Sequence, residues 1–135
     1  RMIVYFKVIG EPIPQGSMRG YVRGGRVALT SDNPNLHSWR DVIGWEARRH
    51  FSEMWEGPVA VTAGFRLSRP KSVKRQWPTV KPDLDKLVRS LGDALTGVAY
   101  KDDSLVLRWE VSKVYCEPGE QPGVDVWVTS LEVQR

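Results

Sequence analysis

Cysteine and histidine are nearly absent from this chain: one cysteine, Cys116, and two histidines, His37 and His50, are found in 135 residues. A single cysteine forms no internal disulfide, and without closely spaced Cys/His pairs there is no zinc-finger framework. The histidines are 13 positions apart on one expected helix and far in sequence from the acids described below. An imidazole metal site or a catalytic histidine is therefore not expected. Cys116, followed by Glu117-Pro118, reads as a strand-end residue and not a nucleophile. No apolar run approaches the ~18 residues of a membrane span. The opening Met2-Ile3-Val4-Tyr5-Phe6 meets Lys7 and Pro12 too soon for a secretory signal. The expected setting is cytoplasmic, with no membrane partner.

What is present is ordinary in amount and uneven in placement. Hydrophobic residues make up 41% and charged residues 27%, the composition of a soluble globular protein. The length suits a single domain, 1–135, with a core large enough to fold without disulfide or structural metal. The net charge is +4 and the pI is near 9.4, compatible with a nucleic-acid partner but too modest to require one. From Arg66 to Lys81 there are six basic residues and no acid. From Asp83 to Asp103 five aspartates face three basic residues, a net −2 that leaves +6 in the rest of the chain. An acidic nest beside a basic surround is the pattern that calls for a function.

Patterning supplies the frame. Met2 to Ile9 alternates as a strand, and Pro12, Pro14 and Gly16 break the loop after it. Tyr21 to Leu29 reads as a hairpin turning at Gly24-Gly25. Ser31-Asp32-Asn33-Pro34 offers caps for a helix over about 35–54. Gly57-Pro58 stops that helix, and Val59 to Leu67 alternates as a strand. The proline-bearing stretch 69–81 is a loop. Leu84, Leu87, Val88, Leu91 and Leu95 define a second helix over about 84–96, stopped near Gly97. Two long strands follow, 105–115 and 124–133, joined by a Pro/Gly-rich turn. The order predicts an α+β fold: a mixed β-sheet with two main helices packed on one face.

The densest candidate for chemistry is Lys81-Pro82-Asp83-Leu84-Asp85-Lys86-Leu87, then Asp93-Ala94-Leu95, then Lys101-Asp102-Asp103. Asp85, Arg89 and Asp93 recur every four residues along one helix face. A short loop after the helix could return Asp102-Asp103 towards it. Carboxylates that converge repel one another unless a cation sits among them. An all-oxygen donor set suits Mg²⁺ or Mn²⁺ and disfavours zinc. Such ions activate water and support phosphodiester cleavage, and a neighbouring Arg or Lys neutralises charge developing on phosphate. Plainer readings stand beside this one. Asp83 can be an N-cap and Asp85 a first-turn charge. Arg89 and Asp93 can form an ordinary i,i+4 pair, and Asp102-Asp103 can be a solvated turn. The basic run can be a solvated loop, in which Trp77, beside Arg75 and Pro78, is the aromatic suited to base stacking.

Taken together, Lys81-Pro82-Asp83-Leu84-Asp85-Lys86-Leu87, Asp93-Ala94-Leu95 and Asp102-Asp103-Ser104-Leu105-Val106 resemble the RusA family signature: Lys-Pro-Asp-x-Asp-Asn-Leu, Asp-Ala-Leu and Asp-Asp-x-x-Val. The early Gly10-Glu11-Pro12-Ile13-Pro14-Gln15-Gly16-Ser17 is similar to the N-terminal loop of phage members. The resemblance implies a homodimeric, Mg²⁺-dependent endonuclease that cuts four-way (Holliday) DNA junctions with paired symmetric nicks. It carries the essential carboxylates onto Asp83, Asp85 and Asp103, with Asp102 as the neighbouring member of the metal pair. Arg89 stands where the family usually has a catalytic lysine, and Lys86 where it usually has asparagine. A planar guanidinium is not a neutral replacement for a compact ammonium. The DNA contacts implied for such an enzyme fall on Arg69, Lys71, Lys74, Arg75, Lys81 and Lys86. The hairpin residues Arg19, Arg23 and Arg26 form a second group.

Overall fold

Alternating β-branched and aromatic residues produce each long strand. The computed structural model describes residues 2–15, 18–23, 26–31 and 36–132, the hairpin within 18–31 by its backbone pairing alone. Strand β1 is Ile3–Ile9, β2 Met18–Arg23, β3 Arg26–Ser31, helix α1 Leu36–Arg48, β4 Val59–Leu67, α2 Leu84–Leu95, β5 Val106–Tyr115 and β6 Gly123–Ser130. Four strands form one sheet in the order β1-β6-β4-β5, and β2 and β3 form a separate antiparallel pair. The expected Gly24-Gly25 turn and the Asp32-Asn33-Pro34 cap lie outside the described residues.

The sheet is mixed. β6 runs antiparallel to both β1 and β4, whereas β4 and β5 are parallel. Parallel neighbours cannot be joined by a tight turn and need a long crossover. Here the crossover is the basic loop, α2 and the turn after it. Every residue of the acid block and the basic run after Leu67 therefore lies on one connection.

One face of the sheet carries Phe6, Val126, Ala63 and Val111 in register across the strands, and the helices cover this face. Leu87, Leu91 and Leu95 of α2 are fully buried with Trp39, Ile43 and Ala47 of α1. Their three- and four-residue spacing puts them on one stripe, and each such leucine contributes roughly 2 kcal/mol of burial. The opposite face holds the Tyr5 and Trp127 rings, 4.9 Å apart between centroids, and a polar cluster in which Tyr5 donates to Asp125 at 2.7 Å. This bond, with burial, pushes the Tyr5 hydroxyl above the usual tyrosine range.

The expected elements recur with shifted ends. Helix α1 stops at Arg48 and not near residue 54, because Trp55 is drawn into pairing elsewhere. Its N–H donates to Ala99 at 2.9 Å and its carbonyl accepts from Lys101 at 3.1 Å. His50 thus lies beyond the helix. Strand β5 begins one residue late because Asp103–Leu105 forms a single 3₁₀ turn. Strand β6 ends at Ser130 and not at 133, as Leu131 turns to donate to Pro58 at 2.9 Å.

Candidate active site

Helix α2 presents one face to solvent near β5. Residues at i, i+3, i+4 and i+7 share a helical face, so Asp85, Val88, Arg89 and Gly92 stand in line. They line a cavity of ≈ 260 Å³, closed on its other side by Asp103 and Trp109. The chain returns because Gly97 adopts a left-handed φ of +83° just past the helix end, where an L side chain would be strained. Gly97 N–H donates to Tyr100 at 2.8 Å, and the reversed chain delivers Asp103 over Gly92. A Cβ at position 92 would stand 3.2 Å from Asp103 Oδ1 and 3.6 Å from Trp109 Cζ2. Glycine keeps the cavity open there.

Asp103 is held by its surroundings. The fully buried Tyr100 donates its hydroxyl to Asp103 Oδ1 at 3.3 Å. Thr96 Oγ1 lies 2.8 Å from Gly92 O and 3.1 Å from the same carboxylate oxygen; with one proton it donates to one of them at a time. Burial, and then the adjacent Asp103 charge, push the Tyr100 hydroxyl far above the usual tyrosine range. The raised hydroxyl favours the protonated form, which can donate to Asp103.

The two members of the Asp102-Asp103 pair have different surroundings. Asp102 caps the 3₁₀ turn, accepting from Ser104 N–H at 2.9 Å. Bonds from the Ser104 side chain and backbone hold its carboxyl below the usual range. It is exposed and does not line the cavity. Asp83 occupies the N-cap position of α2 without a side-chain capping bond. The N-cap reading therefore describes its backbone but not its carboxylate, which lies 3.9 Å from Lys86 Nζ. Asp83 and Asp85 are two apart, a spacing that does not place helical residues on a common face, and Asp83 is not on the cavity lining. The i,i+4 reading of Asp93 is replaced by a pair between helices: Asp93 meets Arg40 of α1 at 3.4 Å. Among the described residues, Arg89 and Asp85 have no ion-pair partner.

Among the described residues no three His, Cys, Asp or Glu side chains come close enough together to hold a metal ion. Two carboxylates and one guanidinium share the cavity. The donor set still fits a hard divalent cation. Asp85 and Asp103 supply oxygen alone, Gly92 leaves space between them, and Mg²⁺ retains several waters when bound by one or two carboxylates.

Residues outside the acid block support the site. Lys113 projects from the inward face of β5, in register with Phe65. Its Nζ donates to the carbonyls of Val80 and Pro82 at 2.9 and 2.8 Å, fixing the chain that enters Asp83. A lysine among alternating apolar residues was the available signal. Ser90, fully buried, donates to Ile13 at 2.9 Å, and Gln15 N–H to Lys86 at 2.9 Å, so the early proline-bearing loop runs along α2. Glu11 accepts from Ser68 Oγ at 2.8 Å at the root of the basic loop.

The basic residues divide by type. Arg66 is 5% exposed and pairs with Asp125. The Arg69 guanidinium stacks 4.5 Å above the Tyr115 ring and donates to the carbonyls of Arg75 and Gln76. Arg75 Nε donates to Tyr115 Oη at 3.0 Å. Lys71, Lys74 and Lys81 are exposed. The side chains of Arg19, Arg23 and Arg26 lie outside the described residues; their backbones belong to the β2–β3 pair.

The family model for the endodeoxyribonuclease RusA matches residues 10–129, nearly the whole of this fold and all of the cavity. The protein is an α+β endodeoxyribonuclease. It belongs to the RusA family. It is also 34% identical over 141 aligned positions to a protein of Bacillus subtilis (strain 168) called uncharacterized protein YqaN, an alignment covering 95% of this chain and 96% of the relative. No helix among the described residues is long and apolar enough to cross a membrane.

Proposed function

We propose that the protein resolves four-way DNA junctions by paired symmetric nicks, acting as a homodimer in the bacterial cytoplasm, that of the host if phage-encoded. The observation that supports this best is the meeting of Asp85, Arg89 and Asp103 in one open cavity, beside a loop whose lysines face solvent. Mg²⁺, or Mn²⁺ in its place, would be held by Asp85 and Asp103 with Asp83 adjacent; when bound it supplies an activated water and neutralises phosphate charge. The Arg89 guanidinium offers a planar fork that matches two phosphate oxygens. Tyr100 and Thr96 keep the Asp103 carboxylate aimed across Gly92. Lys71, Lys74 and Lys81 hold the flanking backbone, which makes affinity strongly salt-dependent. A junction presents two equivalent strands, and a two-fold pair of chains presents two cavities to match.

The test is nicking of a synthetic four-way junction with Mg²⁺, compared with linear duplex, for the wild type and for Asp83→Asn, Asp85→Asn and Asp103→Asn. Full activity in Asp85→Asn or Asp103→Asn would refute the assigned site. Equal rates on duplex and junction would leave a nuclease with less selectivity. A second reading, a branched-DNA-binding module without cleavage, draws on Lys86, whose ammonium lies beside Asp83. Junction binding with no cut under either metal would favour it.

A further inference from the structure

A second cavity, of ≈ 590 Å³, opens at the far end of β5, among Gln76, Trp77, Tyr115, Glu117 and Glu120. Trp109 lines the first cavity and Tyr115 the second. Six residues of strand at ~3.3 Å each separate them by about 20 Å. The floor of the second cavity, with Arg66 and Asp125, lies on the sheet face opposite α2.

The wall of this cavity is built and not incidental. Trp77 is 58% exposed while the next residue, Pro78, is buried, so the chain is anchored where the indole faces out. The Arg69 stack on Tyr115 and its bonds to the Arg75 and Gln76 carbonyls fix the backbone on the other side. At the opposite rim Glu120 Oε1 accepts from Glu117 N–H at 3.0 Å, which fixes one carboxylate in place. The floor is the Arg66–Asp125 pair, whose charges offset each other. Arg69 donates to the Arg75 and Gln76 carbonyls, and Arg75 to the Tyr115 hydroxyl of β5. The side chains that remain to meet a ligand are a flat aromatic ring, the Gln76 amide and two carboxylates. Such a wall pairs a stacking surface with carboxylate acceptors, which suits a flat ring bearing N–H donors.

We infer that this cavity receives an unpaired nucleobase with an exocyclic amino group, stacked on Trp77 with its amino edge towards Glu117 and Glu120. The inference rests on the proposed DNA junction as substrate, where strands change partner and bases unstack at least cost. Carboxylates accept from the cytosine amino group, and adenine and guanine carry amino groups as well. Thymine has none. Stacking on one aromatic ring gives about 5- to 100-fold in affinity.

The test is an abasic scan: four-way junctions with one base removed at successive positions around the crossover, bound in EDTA so that no strand is cut. Wild-type protein should lose about 5- to 100-fold in affinity at one position. Trp77→Ala should bind all junctions of the scan alike, and Trp77→Phe should restore the dip. With the base restored at that position, thymine should bind more weakly than cytosine, adenine or guanine. A flat scan with wild-type protein overturns the inference without touching the endonuclease assignment, which is read separately as nicking with Mg²⁺. Thymine bound as tightly as the other three overturns the role given to the two glutamates. Failure to bind any junction overturns both the inference and the proposed substrate.

Discussion

Along the basic run, Arg66 at the end of β4 is buried in an ion pair, Arg69 and Arg75 of the loop stack and donate within the protein while still exposed, and Lys71, Lys74 and Lys81 face solvent. In the cavity on α2, Asp85 and Arg89 have no ion-pair partner among the described residues, and the carboxylate of Asp103 is aimed by two neutral hydroxyls. The two regions are consecutive on one crossover, yet one consumes its strongest donors internally and the other leaves its charges open. A guanidinium suits internal bracing because it is planar, weakly hydrated and able to stack while donating. A solvated ammonium suits phosphate contact as a point charge. Runs of like charge therefore do not by themselves reveal which members face a partner.

This contrast can be broken most directly at the cavity. Asp85→Asn or Asp103→Asn should cut junction nicking by about 100-fold or more with little change in melting temperature, the scale of losing one pre-aimed electrostatic group. Asp102→Asn, which removes a cap and no cavity wall, should stay within a few-fold of wild type. Equal losses at Asp102 and Asp103 in a steady-state nicking assay would erase the distinction drawn between them. Gly92→Ala comes next. Its Cβ would press Asp103 at 3.2 Å, and misplacement of a reacting group by ~1 Å can cost about 100-fold. Normal kinetics would show that the carboxylate yields freely.

The basic run is expected to respond in stability more than in rate. Arg66→Ala leaves Asp125 without its cation, with only the Tyr5 hydroxyl bond named above, and should cost about 3 kcal/mol in denaturant unfolding. Lys74→Ala should leave stability alone and lower the slope of log affinity against log salt by about 1. The reverse outcome, a stability loss at Lys74 and none at Arg66, would overturn the division between the buried Arg66 and the outward lysines.

The smallest effect is in pH. Tyr100 is raised in the folded state, so the fold favours its protonated form. That stabilisation is complete below the free tyrosine pKa of about 10 and is lost as pH rises beyond it. The melting temperature of the wild type should therefore fall more steeply above about pH 10 than that of Tyr100→Phe. Parallel curves would mean that the hydroxyl is not held as described.

Much of this was legible in the chain itself. The period of Leu87, Leu91 and Leu95 gave α2, and the alternation of Val59 to Leu67 gave β4 with the boundaries observed. The acid block pointed to the cavity because its spacing places Asp85 and Arg89 on one helical face. What was not legible depended on contacts far along the chain. Helix α1 ends early because Trp55 pairs with the turn at Tyr100. Asp83, expected with Asp85 and Asp103, is off the cavity lining because it lies at the helix entry, where the Lys113 ammonium holds the preceding carbonyls. Tyr100 and Thr96 belonged to no charged pattern, so nothing in their chemistry marked them before Asp103 was seen beside them.

The single cysteine excluded an internal disulfide, and local periodicity set the type of nearly every element, because side-chain spacing acts over a few residues. Tertiary structure alone decided which aspartate of the 102–103 pair enters the cavity, which basic residues remain free, and where a second cavity forms at the end of β5. Those outcomes depend on a parallel β4–β5 pairing whose crossover brings residues tens of positions apart into contact, and no local pattern encodes that proximity.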